Sequence, residues 1–154
     1  MSDYLATVNW TRGDGDFLAN QYSRAHEWHF DGGAVVAASA SPHIVPTPWS
    51  SPENVDPEEA FVASLASCHM LFFLSIAASK NFVVQSYSDS ACGRMEKNPQ
   101  GKLAITKVFL RPAVEFAKGA LASEAAIMEI HHLAHEKCFI ASSVKAEILI
   151  EPVI

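Results

Sequence analysis

The sequence is short of charge. Only 18% of its 154 residues are Asp, Glu, Lys or Arg, against roughly 25% in an ordinary soluble domain. No basic run of five or more occurs, and 11 Lys+Arg stand against 17 Asp+Glu, a formal charge of −6. Nucleic acid needs a clustered positive footprint, so none is expected as a partner. An anionic membrane surface is excluded on the same ground. A basic, apolar leader is also lacking: Met1 to Asn20 mixes polar and apolar residues and carries Asp3, Asp14 and Asp16, unlike a signal peptide. Three cysteines, far apart, are not the framework of a disulfide-stapled secreted domain. The cytoplasm is therefore the expected compartment. No internal repeat, low-complexity stretch or linker interrupts the chain, so a single domain over 1–154 is expected.

Apolar residues, by contrast, make up 49% of the chain. A domain this small has much surface and little polar material to cover it, which points to burial against a second copy. From Ala60 to Ala78 the only polar interruptions are Ser64, Ser67, His69 and Ser75. That is close to the roughly 20 residues a membrane span requires. The run opens on Asp56-Pro57-Glu58-Glu59 and contains a histidine and many small residues, so it reads as the buried helix of a soluble protein.

The remaining elements follow from local pattern. Residues 4–11 and 22–39 read as strands, the second turning at Asp31-Gly32-Gly33. Residues 41–56 hold four prolines and read as a loop. Asp56 as N-cap, Pro57 at the first helical position and Glu59 in a box-like pattern start a helix running to about Lys80. Its apolar residues cover all sides, which predicts burial all round. Residues 82–95 and 102–116 read as strands joined near Asn98-Pro99-Gln100-Gly101, with Pro112 marking an edge or bend. Ser123 caps a second helix to about Lys137, and residues 144–150 form a last strand. This order, β-β-β-α-β-β-α-β, predicts an α+β fold with antiparallel sheets.

Cys68 lies in the first helix and Cys138 just after the second, 70 residues apart. Taken alone, they read as two small buried hydrophobes. Cys92, in a strand-like run, reads as structural. His131 and His135 are spaced i, i+4 on one helical face, as two zinc ligands would be. The sequence is not His-Glu-x-x-His and offers no evident third ligand, so a solvated or packing role is expected for His131, His132 and His135, and no metal or cofactor.

The surroundings of the cysteines carry more. Asp56-Pro57-Glu58-Glu59-Ala60-Phe61-Val62-Ala63-Ser64-Leu65-Ala66-Ser67-Cys68-His69 resembles the Pro-Glu-x(9)-Cys helix of the OsmC/Ohr family, the osmotically inducible and organic-hydroperoxide-resistance proteins. Cys138-Phe139-Ile140-Ala141-Ser142-Ser143-Val144 resembles that family's second cysteine and the strand after it. Length and element order agree over nearly the whole chain. The resemblance implies an intertwined homodimer with long central helices between antiparallel sheets. It implies a cysteine-based peroxidase, with Cys68 attacking an organic hydroperoxide, Cys138 closing a disulfide and a dithiol of lipoyl type as reductant. It also implies an Arg and a Glu supporting the thiol. Glu58 matches the Glu, and Arg24, which precedes Phe30-Asp31-Gly32-Gly33, is the first match for the Arg, with Arg12 the second.

The chain departs from the best-known peroxidase branch at three places. His69 directly follows the cysteine, Cys92 is additional, and Tyr22-Ser23-Arg24-Ala25-His26 lacks that branch's glycines. Chemically, a thiolate attacks the O–O bond, a guanidinium favours the thiolate and the developing alkoxide, and a carboxylate orients the guanidinium. Without the resemblance, Arg24 reads as a surface charge and Glu58 as a helix-start carboxylate. Glu58 and Cys68, ten residues apart on one helix, are separated by about 15 Å, so Glu58 acts through the arginine or from a partner subunit. Two other readings stand beside the peroxidase: a non-catalytic member of the fold binding an apolar small molecule at the dimer interface, and a histidine-based metal hydrolase.

Overall fold

In the computed structural model, which describes residues 1–119 and 122–154, the chain forms two units, Met1–Ala60 and Phe61–Ile154. The first holds a three-stranded antiparallel sheet of β1 (Ala6–Asn9), β2 (His26–Phe30) and β3 (Val35–Ala38), in that order. The turn between β2 and β3 is the one expected. Gly33 takes φ +96°, a conformation that suits glycine, and its N–H donates to the Phe30 carbonyl at 3.0 Å. The strand expected from residue 22 begins instead at His26, because Tyr22 to Ala25 belong to an irregular loop.

Helix α1 (Pro57–Ser79) starts where the capping chemistry puts it. The Glu59 N–H donates to Asp56 Oδ1 at 2.8 Å, and the Asp56 N–H donates to Glu59 Oε1 at 3.1 Å. Two amide donors without helical partners are thereby satisfied reciprocally. At the other end Asn81 turns left-handed at φ +65°, and the Phe82 N–H donates to the Ala77 carbonyl at 2.9 Å, a closure that stops the helix.

The second unit carries more strands than its periodicity suggests. The expected strand 82–95 is two, β4 (Val84–Asp89) and β5 (Cys92–Lys97). The expected strand 102–116 is also two, β6 (Leu103–Leu110) and β7 (Pro112–Phe116). Each breaks because the chain changes sheet: β4 pairs with β7, and β5 with β6, both antiparallel. After α2 (Glu124–Lys137), whose N-cap Ser123 Oγ accepts the Ala126 N–H at 3.2 Å, comes a short 3-10 turn over Ala141–Ser143. The last strand, β8 (Glu147–Ile150), therefore starts three residues later than expected. It pairs with β6 in parallel, the exception in an otherwise antiparallel α+β fold.

Two apolar clusters anchor this unit. One joins Phe73, Ile76 and Ala77 of α1 to Ile130 and Ala134 of α2; the other sets Leu65 against Val108 and Leu110 of β6. Close approach of β5 to α1 requires Gly93, since a Cβ there would lie 2.6 Å from the Val62 side chain. The buried residues of α1 are Leu65, His69, Phe73, Ile76 and Ala77, a single stripe at helical spacing. The helix was expected to be covered on every side, yet within the chain only that stripe is, and Leu71 remains 59% exposed. Among the described residues α1 is the one helix long and apolar enough, by length and composition, to cross a membrane.

Candidate active site

Cys68 sits in the middle of α1 and is half-buried; Cys138 caps the C-terminal end of α2 and is buried, and both are free thiols. Cys68 lies close enough to Cys138 to raise the pKa of that thiol. A short backbone wrap holds Cys138 there. Its φ of −65° and ψ of 114° take the chain out of the helix, while its N–H still donates to the His135 carbonyl at 3.3 Å. The Ser142 N–H and hydroxyl both donate to the Cys138 carbonyl at 3.1 Å, and the Ala141 N–H points at Sγ, 3.4 Å away. The residues between Cys138 and the last strand thus form a clamp on the second thiol.

Burial pushes the Cys138 thiol above its ordinary pKa, and the neighbouring Cys68 pushes it further; the Ala141 amide acts in the opposite direction. The protonated thiol is thereby favoured at Cys138. Phe72, one turn beyond Cys68, meets Phe139, the neighbour of Cys138, edge to face at 5.0 Å, a favourable arrangement of ring quadrupoles. Two neighbouring thiols beside aromatic walls can interconvert with a disulfide once one of them is oxidised.

A second link between the helices was not foreseen. His69 Nε2 lies 3.0 Å from His131 Nδ1, and both rings are 1% exposed. Burial lowers each pKa from 6.5 to about 4, so the pair is neutral at pH 7. His131 also packs on Phe73 at 4.3 Å between centroids. The sequence held one signal: His69 stands midway between Leu65 and Phe73 at i, i+4 spacing. His132, by contrast, is exposed beside Glu136 at 3.4 Å. Among the described residues no group of three or more His, Cys, Asp or Glu is arranged to hold a metal ion. Cys92 is exposed on β5, not buried as a structural cysteine would be.

The charged residues expected near the thiol lie in the first unit. Arg24 is half-buried; its Nη1 donates to the carbonyls of Asn20 at 3.1 Å and Tyr22 at 2.7 Å, and its guanidinium carbon lies 3.6 Å from the Tyr22 ring centroid. Glu58, in the first turn of α1, has its Oε2 buried without a hydrogen-bond partner. No ion pair joins it to Arg24 among the described residues. Arg12 donates to the Gly15 carbonyl at 3.2 Å.

Comparison with known proteins adds a family. Residues 50–153 match the OsmC-like protein family. An OsmC-like protein of unknown function from Vibrio cholerae is 55% identical, with 99% of this chain and 100% of that one covered and a TM-score of 0.97. Two further structures share the fold at low identity. The organic hydroperoxide resistance protein OsmC of Legionella pneumophila is 12% identical, with 100% and 98% covered and a TM-score of 0.69. The organic hydroperoxide resistance protein OhrB of Bacillus subtilis is 15% identical, with 99% and 98% covered and a TM-score of 0.64. No curated protein matches the chain.

Proposed function

The chain belongs to the OsmC-like protein family, and from that premise we propose that it is a thiol peroxidase reducing organic hydroperoxides. The observation that supports the reading is the proximity of the two thiols, with Cys68 near enough to raise the pKa of Cys138. Proteins of the same fold bear the name organic hydroperoxide resistance protein, which supports the choice of oxidant.

In this reading the Cys68 thiolate attacks one oxygen of the O–O bond. The bond breaks, the alkoxide leaves and takes up a proton as an alcohol, and Cys68 becomes a sulfenic acid. Cys138, losing its proton, then attacks the Cys68 sulfur; water departs and a Cys68–Cys138 disulfide forms. A dithiol, of lipoyl type, exchanges with that disulfide and restores both thiols. Arg24 favours the thiolate and the leaving alkoxide, and the unpartnered Glu58 carboxylate orients a guanidinium. A second copy covers the exposed apolar side of α1, giving a homodimer. The compartment is the reducing cytoplasm, where the thiols persist until oxidised.

The test is consumption of cumene hydroperoxide with dithiothreitol as reductant. The parent protein turns it over and Cys68→Ser does not. Equal consumption by the two proteins would remove the peroxidase reading.

A further inference from the structure

The first unit contains a cavity of about 340 Å3 whose lining includes Trp10, Phe17, Tyr22, Arg24, His26 and Pro57. That volume is at the small end of the roughly 300–1,000 Å3 typical of small-molecule sites. Its walls are built, not incidental. Phe17 stacks on Tyr22 at 4.8 Å, and Trp10 meets Tyr22 edge to face at 5.5 Å. The Trp10 indole N–H is fixed on the Ser23 carbonyl at 2.9 Å.

The polar groups of the lining divide unequally. His26 is fully engaged: its Nε2 accepts the Trp28 indole N–H at 3.1 Å, so the ring proton resides on Nδ1, which donates to the Arg24 carbonyl at 2.7 Å. Arg24 is not. Nη1 is held by two backbone carbonyls, while no carboxylate pairs with the guanidinium among the described residues. Nε and Nη2 keep N–H donors without protein acceptors there. A half-buried cation fixed against an aromatic ring and lacking a counter-charge favours an anion, and a guanidinium fork suits a carboxylate.

From this geometry we infer that the first unit carries a binding site for a small organic anion with a single aromatic ring, its carboxylate on Arg24 and its ring among Trp10, Phe17 and Tyr22. The aromatic walls contribute by burial of the ring and by stacking; the guanidinium supplies discrimination against neutral ligands. The size of the cavity restricts the ligand to about one ring. The inference engages the same Arg24 as the proposed peroxidase but uses no cysteine chemistry, and binding to the Cys68→Ser protein tests it apart from that reading.

The test uses benzoate, benzyl alcohol and acetate, titrated by calorimetry into the parent protein and into Cys68→Ser. Benzoate should bind both proteins at least tenfold more tightly than either of the other two. Arg24→Gln should reduce benzoate to the level of benzyl alcohol, and Arg24→Lys should retain part of the difference. Benzoate should also perturb tryptophan fluorescence, and Trp10→Phe should remove most of that signal. Equal binding of benzoate and benzyl alcohol to the parent protein would overturn the inference without reliance on any variant. So would unchanged benzoate affinity in Arg24→Gln, or an unchanged fluorescence response in Trp10→Phe.

Discussion

His69 Nε2 and His131 Nδ1 meet at 3.0 Å inside the second unit, tying the helix that carries Cys68 to the helix that ends in Cys138. Either tautomer of the pair leaves one buried ring N–H and one bare nitrogen without a protein partner, at His69 Nδ1 and His131 Nε2. Such a pair tolerates neutrality far better than charge.

Acid should therefore loosen the fold at unusually mild pH. Each ring has a folded pKa of about 4 against 6.5 unfolded. The stability that comes from keeping them neutral is present above about pH 6.5 and is lost as pH falls toward 4. Between pH 7 and pH 5 protonation of each ring in the unfolded chain, resisted in the folded one, costs on the order of 2 kcal/mol of stability. The urea midpoint should fall over that interval, and His131→Phe should flatten the dependence. The buried Asp89 carboxyl, whose pKa is raised, acts in the opposite direction, so a flat parent profile with an equally flat variant would contradict neutral burial of the pair.

Disulfide closure should speed up with alkali. Cys138 is held as a thiol by burial and by the neighbouring Cys68, whereas attack on a sulfenic acid needs the thiolate. Stopped-flow measurement after a peroxide pulse should show the closing step rising from pH 7 to pH 9. A closing step independent of pH would mean that Cys138 is already ionised. With Cys138→Ser, mass spectrometry should find Cys68 as sulfinic or sulfonic acid.

The exposed side of α1 should be an interface between two copies. Only five of its 23 residues are buried within the chain, and a stripe that narrow leaves Leu71 59% exposed. Sedimentation at micromolar concentration should give a dimer, and Leu71→Glu should shift it toward monomer. A folded parent monomer under those conditions would reject the interface.

Arg24→Ala should slow oxidation of Cys68 by cumene hydroperoxide in stopped-flow measurement; loss of Glu58 should slow it less. If Arg24→Ala behaves as the parent does, Arg12 becomes the arginine to test.

The two ends of α1 show what a sequence can and cannot reveal. Its start was legible, because capping by Asp56 and Glu59 is a matter of neighbours. Its buried stripe was not, because a helix apolar all round gives no sign of which side meets α2. The breaks at Ser90–Ala91 and at Arg111 were hidden for a related reason. The chain stays extended while it passes from one sheet to another, and a period of two records extension but not partners. The parallel pairing of β8 with β6 depends on where α2 returns the chain. Cys68 and Cys138, 70 residues apart, were singled out together only through the family resemblance, and the His69–His131 contact, spanning 62 residues, had no such guide.

The central claim is that Cys68 and Cys138 form a peroxide-driven redox pair. The direct measurement is peptide mapping by mass spectrometry after one equivalent of cumene hydroperoxide is added to the fully reduced protein. The account predicts a Cys68–Cys138 disulfide as the main product, with Cys92 left as a thiol. Both cysteines recovered reduced, or a product that does not involve Cys68, would contradict it.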